Sequence, residues 1–378
     1  MRLRFPITIA LACVAAASLG AGSGVGATPN RTPPGAPADF FGIAPQSPMS
    51  ERDAEYMAAG GISTVRLPVP WSSIQASKRG GYNWNGLDEG VEVAARAGLR
   101  VLPFLYGTPH WLTPKPTTLP IDNPRERTAW TEFLTAAVDR YGPGGDFWVQ
   151  QRKEAGVNYE TPITPLPIRT WQIWNEANFF YFAFPASPTR YAKLLTISSQ
   201  AIKAADPGAK VILSGLFAKP TAGGARGMPA AKFLEILYRT PGIKYSFDGV
   251  ALHPYAVDSE TLEELVDGFD EVTTENHDRV PLYITEMGWG SQPDFHKVAF
   301  EQGIQGQVRE LRSAYTFLLE NRGRLDLKQA FWFSWKDNSL IPNCNFCDSV
   351  GLFRQGNGFS PKPAWPAFVA LTGGSLRP

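Results

Sequence analysis

From about Phe40 onward, short apolar, β-branched runs alternate with longer segments whose apolar residues recur at helical spacing. Such alternation predicts βα repeats around a parallel sheet. Strands are expected at 41–44, 62–67, 100–106, 168–174, 210–214, 247–255, 281–287 and 329–335. Helices are expected at 51–59, with Ser50 as cap, and at 87–97, 124–141, 188–205, 230–239, 262–276, 300–321 and 363–371. Pro124 suits the first turn of its helix, and Gly60-Gly61 closes the first one. The segment 142–167 lacks a period and reads as an irregular connection leading from a helix into a strand.

Two of the strands deliver a carboxylate at their C-terminal ends. The run 168–174 stops at Asn175-Glu176, followed by Phe179, Phe180, Tyr181, Phe182 and Phe184; the run 281–287 carries Glu286, with Gly288 and Trp289 just beyond. An isolated Asn-Glu dipeptide is ordinarily a solvated loop acid. Two strand-terminal glutamates change that reading, because in a parallel barrel every strand C-terminus opens on the same face and strands three units apart share a pocket. Hydrolysis of a glycosidic bond needs two such carboxyl groups, about 5 Å apart in the retaining geometry.

Trp-Asn-Glu at the end of a fourth strand and Thr-Glu-Met-Gly-Trp at the end of a seventh resemble the (β/α)8 glycoside hydrolases of clan A, family 39-like enzymes and family 5 cellulase-like proteins above all. The resemblance covers nearly all of the chain after residue 40 and implies an α/β fold, a (β/α)8 TIM barrel forming a single catalytic domain over 40–378. It implies Glu176 as acid/base and Glu286 as nucleophile of a retaining hydrolase of β-linked oligo- or polysaccharides. A transglycosidase or a catalytically silent carbohydrate-binding barrel are the alternatives. Arg66, at the end of the second strand, is expected beside the nucleophile. His253 and Tyr255, two apart on the sixth strand, are expected to point inward together, with the tyrosine hydroxyl donating to the nucleophile. Asn175 is assigned to the sugar 2-hydroxyl, His110, Trp111 and Trp289 to substrate contacts, and Trp335 to the platform under the cleaved sugar. Trp71 is left open.

Composition narrows the partners. With 36 basic and 35 acidic residues the formal charge is +1 and no basic block exists, which speaks against nucleic acid as a partner; the carbohydrate partner is what the resemblance implies. Eleven Trp, twelve Tyr and 23 Phe suit sugar stacking and core packing equally. No organic cofactor or metal is expected, since no phosphate-binding glycine loop and no His-Glu-x-x-His occur. Residues 1–27 follow the pattern of an export signal: Arg2 and Arg4, an apolar stretch, and small residues to Ala27. A secreted or cell-envelope protein with no membrane span, and a monomer, is expected; lipoprotein processing at Cys13 is the rival. Residues 28–39 form a Pro-rich linker. Cys344 and Cys347 are then left, and in an exported chain this spacing predicts a local disulfide.

Overall fold

The computed structural model describes residues 36–158, 162–293, 299–342 and 344–378. The expected export signal, Cys13 and most of the linker lie outside the described residues. The strands are β1 (Phe41–Ile43), β2 (Thr64–Pro70), β3 (Arg100–Tyr106), β4 (Thr170–Ile173), β5 (Lys210–Ile212), β6 (Leu216–Phe217), β7 (Val250–His253), β8 (Leu282–Met287) and β9 (Leu327–Trp332). They pair in the order β5-β4-β3-β2-β1-β9-β8-β7-β6, every pair parallel. A parallel bridge from Ile212 to Gly249 brings the two ends of that order together and closes the ring. The fifth strand, expected over 210–214, ends at Ile212, and a further short strand, β6, follows it beyond Gly215. The φ of Gly215 is +63°, and a β-carbon there would stand 2.2 Å from His253 Nε2 and 2.6 Å from Thr285 Oγ1. Glycine meets both requirements at once.

The helices are α1 (Glu51–Ala59), α2 (Trp71–Ile74), α3 (Asn85–Arg96), α4 (Pro124–Tyr141), α5 (Asp146–Asn158), α6 (Pro188–Ala205), α7 (Ala230–Tyr238), α8 (Ser259–Glu275), α9 (Gly303–Glu320) and α10 (Ala364–Thr372). Ser50 caps α1 in a reciprocal box: its hydroxyl accepts from the Asp53 amide, and the Asp53 carboxylate accepts from the Ser50 amide at 3.0 Å. The expected irregular stretch 142–167 instead contains α5. Phe147 and Trp148 hold it in place, the Trp148 indole donating to the Tyr141 carbonyl at 2.9 Å. Its connection enters β4 from below, on the face opposite the strand C-termini.

Leu102, Ile212, Ala251 and Phe331 fill the barrel interior as one buried cluster. Gly42 makes room for the Phe331 ring, since a β-carbon at 42 would lie 2.3 Å from it. Toward the C-terminal ends of the strands the interior turns polar: Arg66 from β2, Gln172 from β4, His253 from β7, and Thr285 and Glu286 from β8 are all buried. No helix among the described residues is long and apolar enough to cross a membrane.

Candidate active site

Arg66 organises that polar layer. Fully buried, with its guanidinium carbon 3.9 Å from the centre of the Phe104 ring, it donates in three directions: from Nε to Gln172 Oε1 at 2.7 Å, from Nη1 to Glu286 Oε1 at 2.5 Å, and from Nη2 to Asn175 Oδ1 at 2.6 Å. The other oxygen of Glu286, Oε2, accepts from the Tyr255 hydroxyl at 2.8 Å. Both expected partners of Glu286 are therefore in contact with it. Asn175, its carbonyl oxygen committed to Arg66, has its NH2 group for other use.

Glu176 stands opposite. Backbone φ is +70° at Trp174 and +40° at Glu176, left-handed values that cost a non-glycine residue of order 1–3 kcal/mol each. Neighbouring strands hold the turn: the Trp174 amide donates to Leu105 O at 2.8 Å, the Glu176 amide to Ser214 O at 2.9 Å, and the Ala177 amide to Ser214 Oγ at 3.2 Å. Strain of this kind is found where the surroundings impose a side-chain direction, here toward His253 and Glu286. His253 Nδ1 lies 2.8 Å from Glu176 Oε1 and 3.6 Å from Glu286 Oε2. One donor atom each of Glu176, His253 and Glu286 lies within 4.8 Å of the others.

The hydrogen-bond directions around His253 follow from Arg66. A guanidinium only donates, so Gln172 Oε1 must accept, and Gln172 Nε2 therefore donates to Leu213 O at 2.9 Å and Thr285 Oγ1 at 3.2 Å. With its oxygen accepting from Gln172, Thr285 has its own hydrogen for His253 Nε2 at 2.9 Å. The ring proton consequently sits on Nδ1 and is donated to Glu176. Burial, and next the charge of Arg66, hold the His253 pKa well below the usual imidazole value. The histidine is neutral, so its contact with Glu176 is a hydrogen bond and not an ion pair.

Burial raises both carboxyl pKa values above the ordinary range, and does so much more for Glu176, where the charge of Glu286 adds to it. Arg66 and Tyr255 draw Glu286 back without cancelling the burial effect. Complete enclosure of the carboxylate outweighs these two partners, so the net direction is upward. Burial, with the charge of Glu286 behind it, also keeps Tyr255 protonated. Glu176, His253 and Glu286 form the single group among the described residues whose donor atoms could converge on a metal ion. Three of the four carboxylate oxygens and both ring nitrogens of His253 already take part in hydrogen bonds, which is a poor arrangement for a cation.

The remaining expected residues are scattered. His110 is exposed on the loop after β3. Trp111, half-buried beside it, donates its indole hydrogen to Gln75 O at 2.9 Å and packs edge-on against the buried Trp71. Trp289 is 1% exposed, its indole donating to Ala256 O at 2.9 Å, so it is core material with no face for a sugar. Trp335 does not form the platform either. β9 ends at Trp332, the strand alternation ceases there, and Trp335 is 2% exposed, bonded to Asp53 Oδ1 at 2.7 Å and packed on Phe353 and Trp365. The rings packed around Tyr255 are instead those of Phe333, Phe346 and Phe300, whose centres lie 6.0, 5.4 and 5.7 Å from it. The expected disulfide joins Cys344 and Cys347, on either side of Phe346. Gln172 and Thr285 were not anticipated; their signal is a polar residue inside an otherwise apolar strand.

No family model matches the sequence, and no curated protein matches it. Solved structures do. A family 39 glycoside hydrolase from Bacteroides cellulosilyticus WH2 superposes with a TM-score of 0.61 at 21% identity, over 89% of this chain and 63% of that one. A monomeric β-xylosidase from Caulobacter crescentus CB15 gives 0.59 at 17% identity, over 90% and 69%. Xylanase 10B from Thermotoga maritima gives 0.56 at 15% identity, over 89% of this chain and 95% of its own. The present chain thus spans less than two thirds of the first of these. What it shares with all three is their fold, a (β/α)8 barrel.

Proposed function

We propose that this chain is a retaining glycoside hydrolase acting on β-linked sugars through Glu286 and Glu176. The observation that carries the reading is the pair itself: two buried carboxylates with oxygens no more than 4.8 Å apart, held in unlike environments. That spacing suits a nucleophile attacking directly and leaves too little room for the water of an inverting reaction. The carboxyl with the lesser rise, Glu286, is ionised while Glu176 keeps its proton.

In this reading a Glu286 oxygen bonds to the anomeric carbon as the glycosidic C–O bond breaks. The electron pair leaves with the departing oxygen, which takes the Glu176 proton. His253 already donates to Glu176 Oε1, so the transferable proton resides on Oε2. Glu176, now a carboxylate, then removes a proton from water; the water oxygen bonds to the anomeric carbon and Glu286 is released. Arg66 and Tyr255 steady Glu286 both as the free carboxylate and as the neutral glycosyl ester, and the Asn175 NH2 group serves the 2-hydroxyl, where a bond strengthens in the transition state.

Two of the structural neighbours are described as a β-xylosidase and a xylanase, so aryl β-xylosides and xylan are the first substrates to try within a wider panel. Glu176→Ala is expected to lower kcat by about 10²–10⁴-fold, least with leaving groups that need no protonation, and to remove the alkaline limb of the pH profile. Azide should restore turnover in both variants. The product should be a glycosyl azide of retained configuration from Glu176→Ala and of inverted configuration from Glu286→Ala. A robust wild-type activity that neither substitution alters would refute the assignment.

A further inference from the structure

The loops 71–84, 107–123, 174–187 and 218–229 follow β2, β3, β4 and β6, and form the wall of the barrel mouth on the Glu176 side. They are tied to one another. The Trp111 indole donates to Gln75 O at 2.9 Å, the Phe184 amide to Thr117 O at 2.9 Å and the Phe180 amide to Arg226 O at 2.9 Å. The Asn178 side chain donates to Phe217 O and Met228 O, both at 2.7 Å.

Charge on this wall is one-sided, although the chain as a whole is nearly neutral. Lys78, Arg79, Lys115, Lys219 and Arg226 are all exposed, and the four loops hold only two carboxylates, Glu176 and Asp122. Asp122 is bound by both guanidinium nitrogens of Arg190, at 2.6 and 2.9 Å. Among the described residues none of the five cations pairs with a carboxylate. Aromatic rings stand beside them. The Arg226 guanidinium carbon is 3.9 Å from the centre of the Phe180 ring, and Tyr181, 53% exposed, stacks on that ring at 4.3 Å. Lys115 Nζ is 5.9 Å from the Phe184 ring, which is 42% exposed. An aromatic face positions a cation without neutralising it, and the same rings offer sugar-sized apolar surface.

We propose that this wall binds an anionic glycan, a sugar chain bearing carboxylate or sulfate groups, on the leaving-group side of the bond to be cleaved. Sugar rings lie on Tyr181 and Phe184, and the acidic substituents meet Arg226 and Lys115. The direction of the chain rests on Glu176 being the acid; the preference for charge does not.

The test measures binding, so it stands apart from the question of cleavage. Protein carrying Glu286→Gln is titrated by calorimetry with a xylo-oligosaccharide, with a glucuronic-acid-bearing xylo-oligosaccharide of equal length, and with a sulfated one. At least one charged probe should bind about tenfold more tightly than the neutral chain, the sum of two or three exposed ion pairs. That gap should close in 1 M salt and in a Lys115→Gln/Arg226→Gln variant, and persist in Lys328→Gln, a control far from the mouth. A gap for the uronate alone assigns carboxylate as the recognised group; a gap for the sulfated probe alone assigns sulfate. Equal binding of all three probes, failure of all to bind, or a gap indifferent to the double substitution would overturn the proposal.

Discussion

His253 can carry its one ring proton on either nitrogen, and residues that touch no substrate decide which. The direction begins at Arg66, passes through Gln172 and Thr285, and reaches Glu176 from Nδ1. Gln172→Glu should reverse it. A carboxylate at 172 only accepts, so Thr285 turns its hydrogen toward it, presents lone pairs to Nε2, and the ring proton moves there. Imidazole ¹⁵N shifts in the two proteins should report Nδ1–H and Nε2–H respectively; one tautomer in both would contradict the relay. The kinetic consequence has a definite sign. A hydrogen bond donated to an ionised carboxylate lowers its pKa, so losing it raises Glu176 further and moves the alkaline limb to higher pH. Little of this was legible beforehand. Glu176, Glu286 and Arg66 stand out because charged groups at strand ends are conspicuous, whereas one glutamine inside Trp171-Gln172-Ile173 gives no hint of its partner 113 residues away.

At the scale of elements, the loops after β8 and β9 close the side opposite Glu176. Lys362 is buried between them and donates to Asp337 Oδ1 at 2.8 Å, Ser291 Oγ at 3.1 Å and Ser349 O at 2.5 Å. Burying an ammonium is costly, and here three acceptors offset the cost. The Cys344–Cys347 bridge restrains the same loop and holds Phe346 against Tyr255. Replacing both cysteines by serine is expected to destabilise the protein by about 2 kcal/mol and to raise KM several-fold as Phe346 loosens. Thermal melts and steady-state kinetics check both; an unchanged KM would detach the bridge from the site. The cysteine spacing and most helix bounds were readable, α4 and α6 to the residue. Helix α5 was not, because it packs through the adjacent Phe147 and Trp148 and shows no repeating apolar stripe. Trp289 and Trp335 were misplaced for a related reason. Alternation tells inside from outside only while a strand lasts, and both lie beyond the end of one.

For the whole molecule, the alternating pattern carried the parallel topology but not the manner of closure. The ring is completed by Ile212 meeting Gly249, close to Gly215, and the strand beyond it, two residues long, is too short to carry a period. Closure is what turns eight separate strand ends into one pocket, and it sets Glu176 and Glu286 close enough for a covalent mechanism. The most direct measurement is to trap the intermediate. The protein is incubated with an activated 2-deoxy-2-fluoro-β-glycoside of whichever sugar it cleaves, then digested, and the labelled peptide is sequenced by mass spectrometry. The account predicts one fluoroglycosyl group, on Glu286, and none in Glu286→Ala. A label on another residue, or none at all from a reagent that inactivates the enzyme with time, would contradict it.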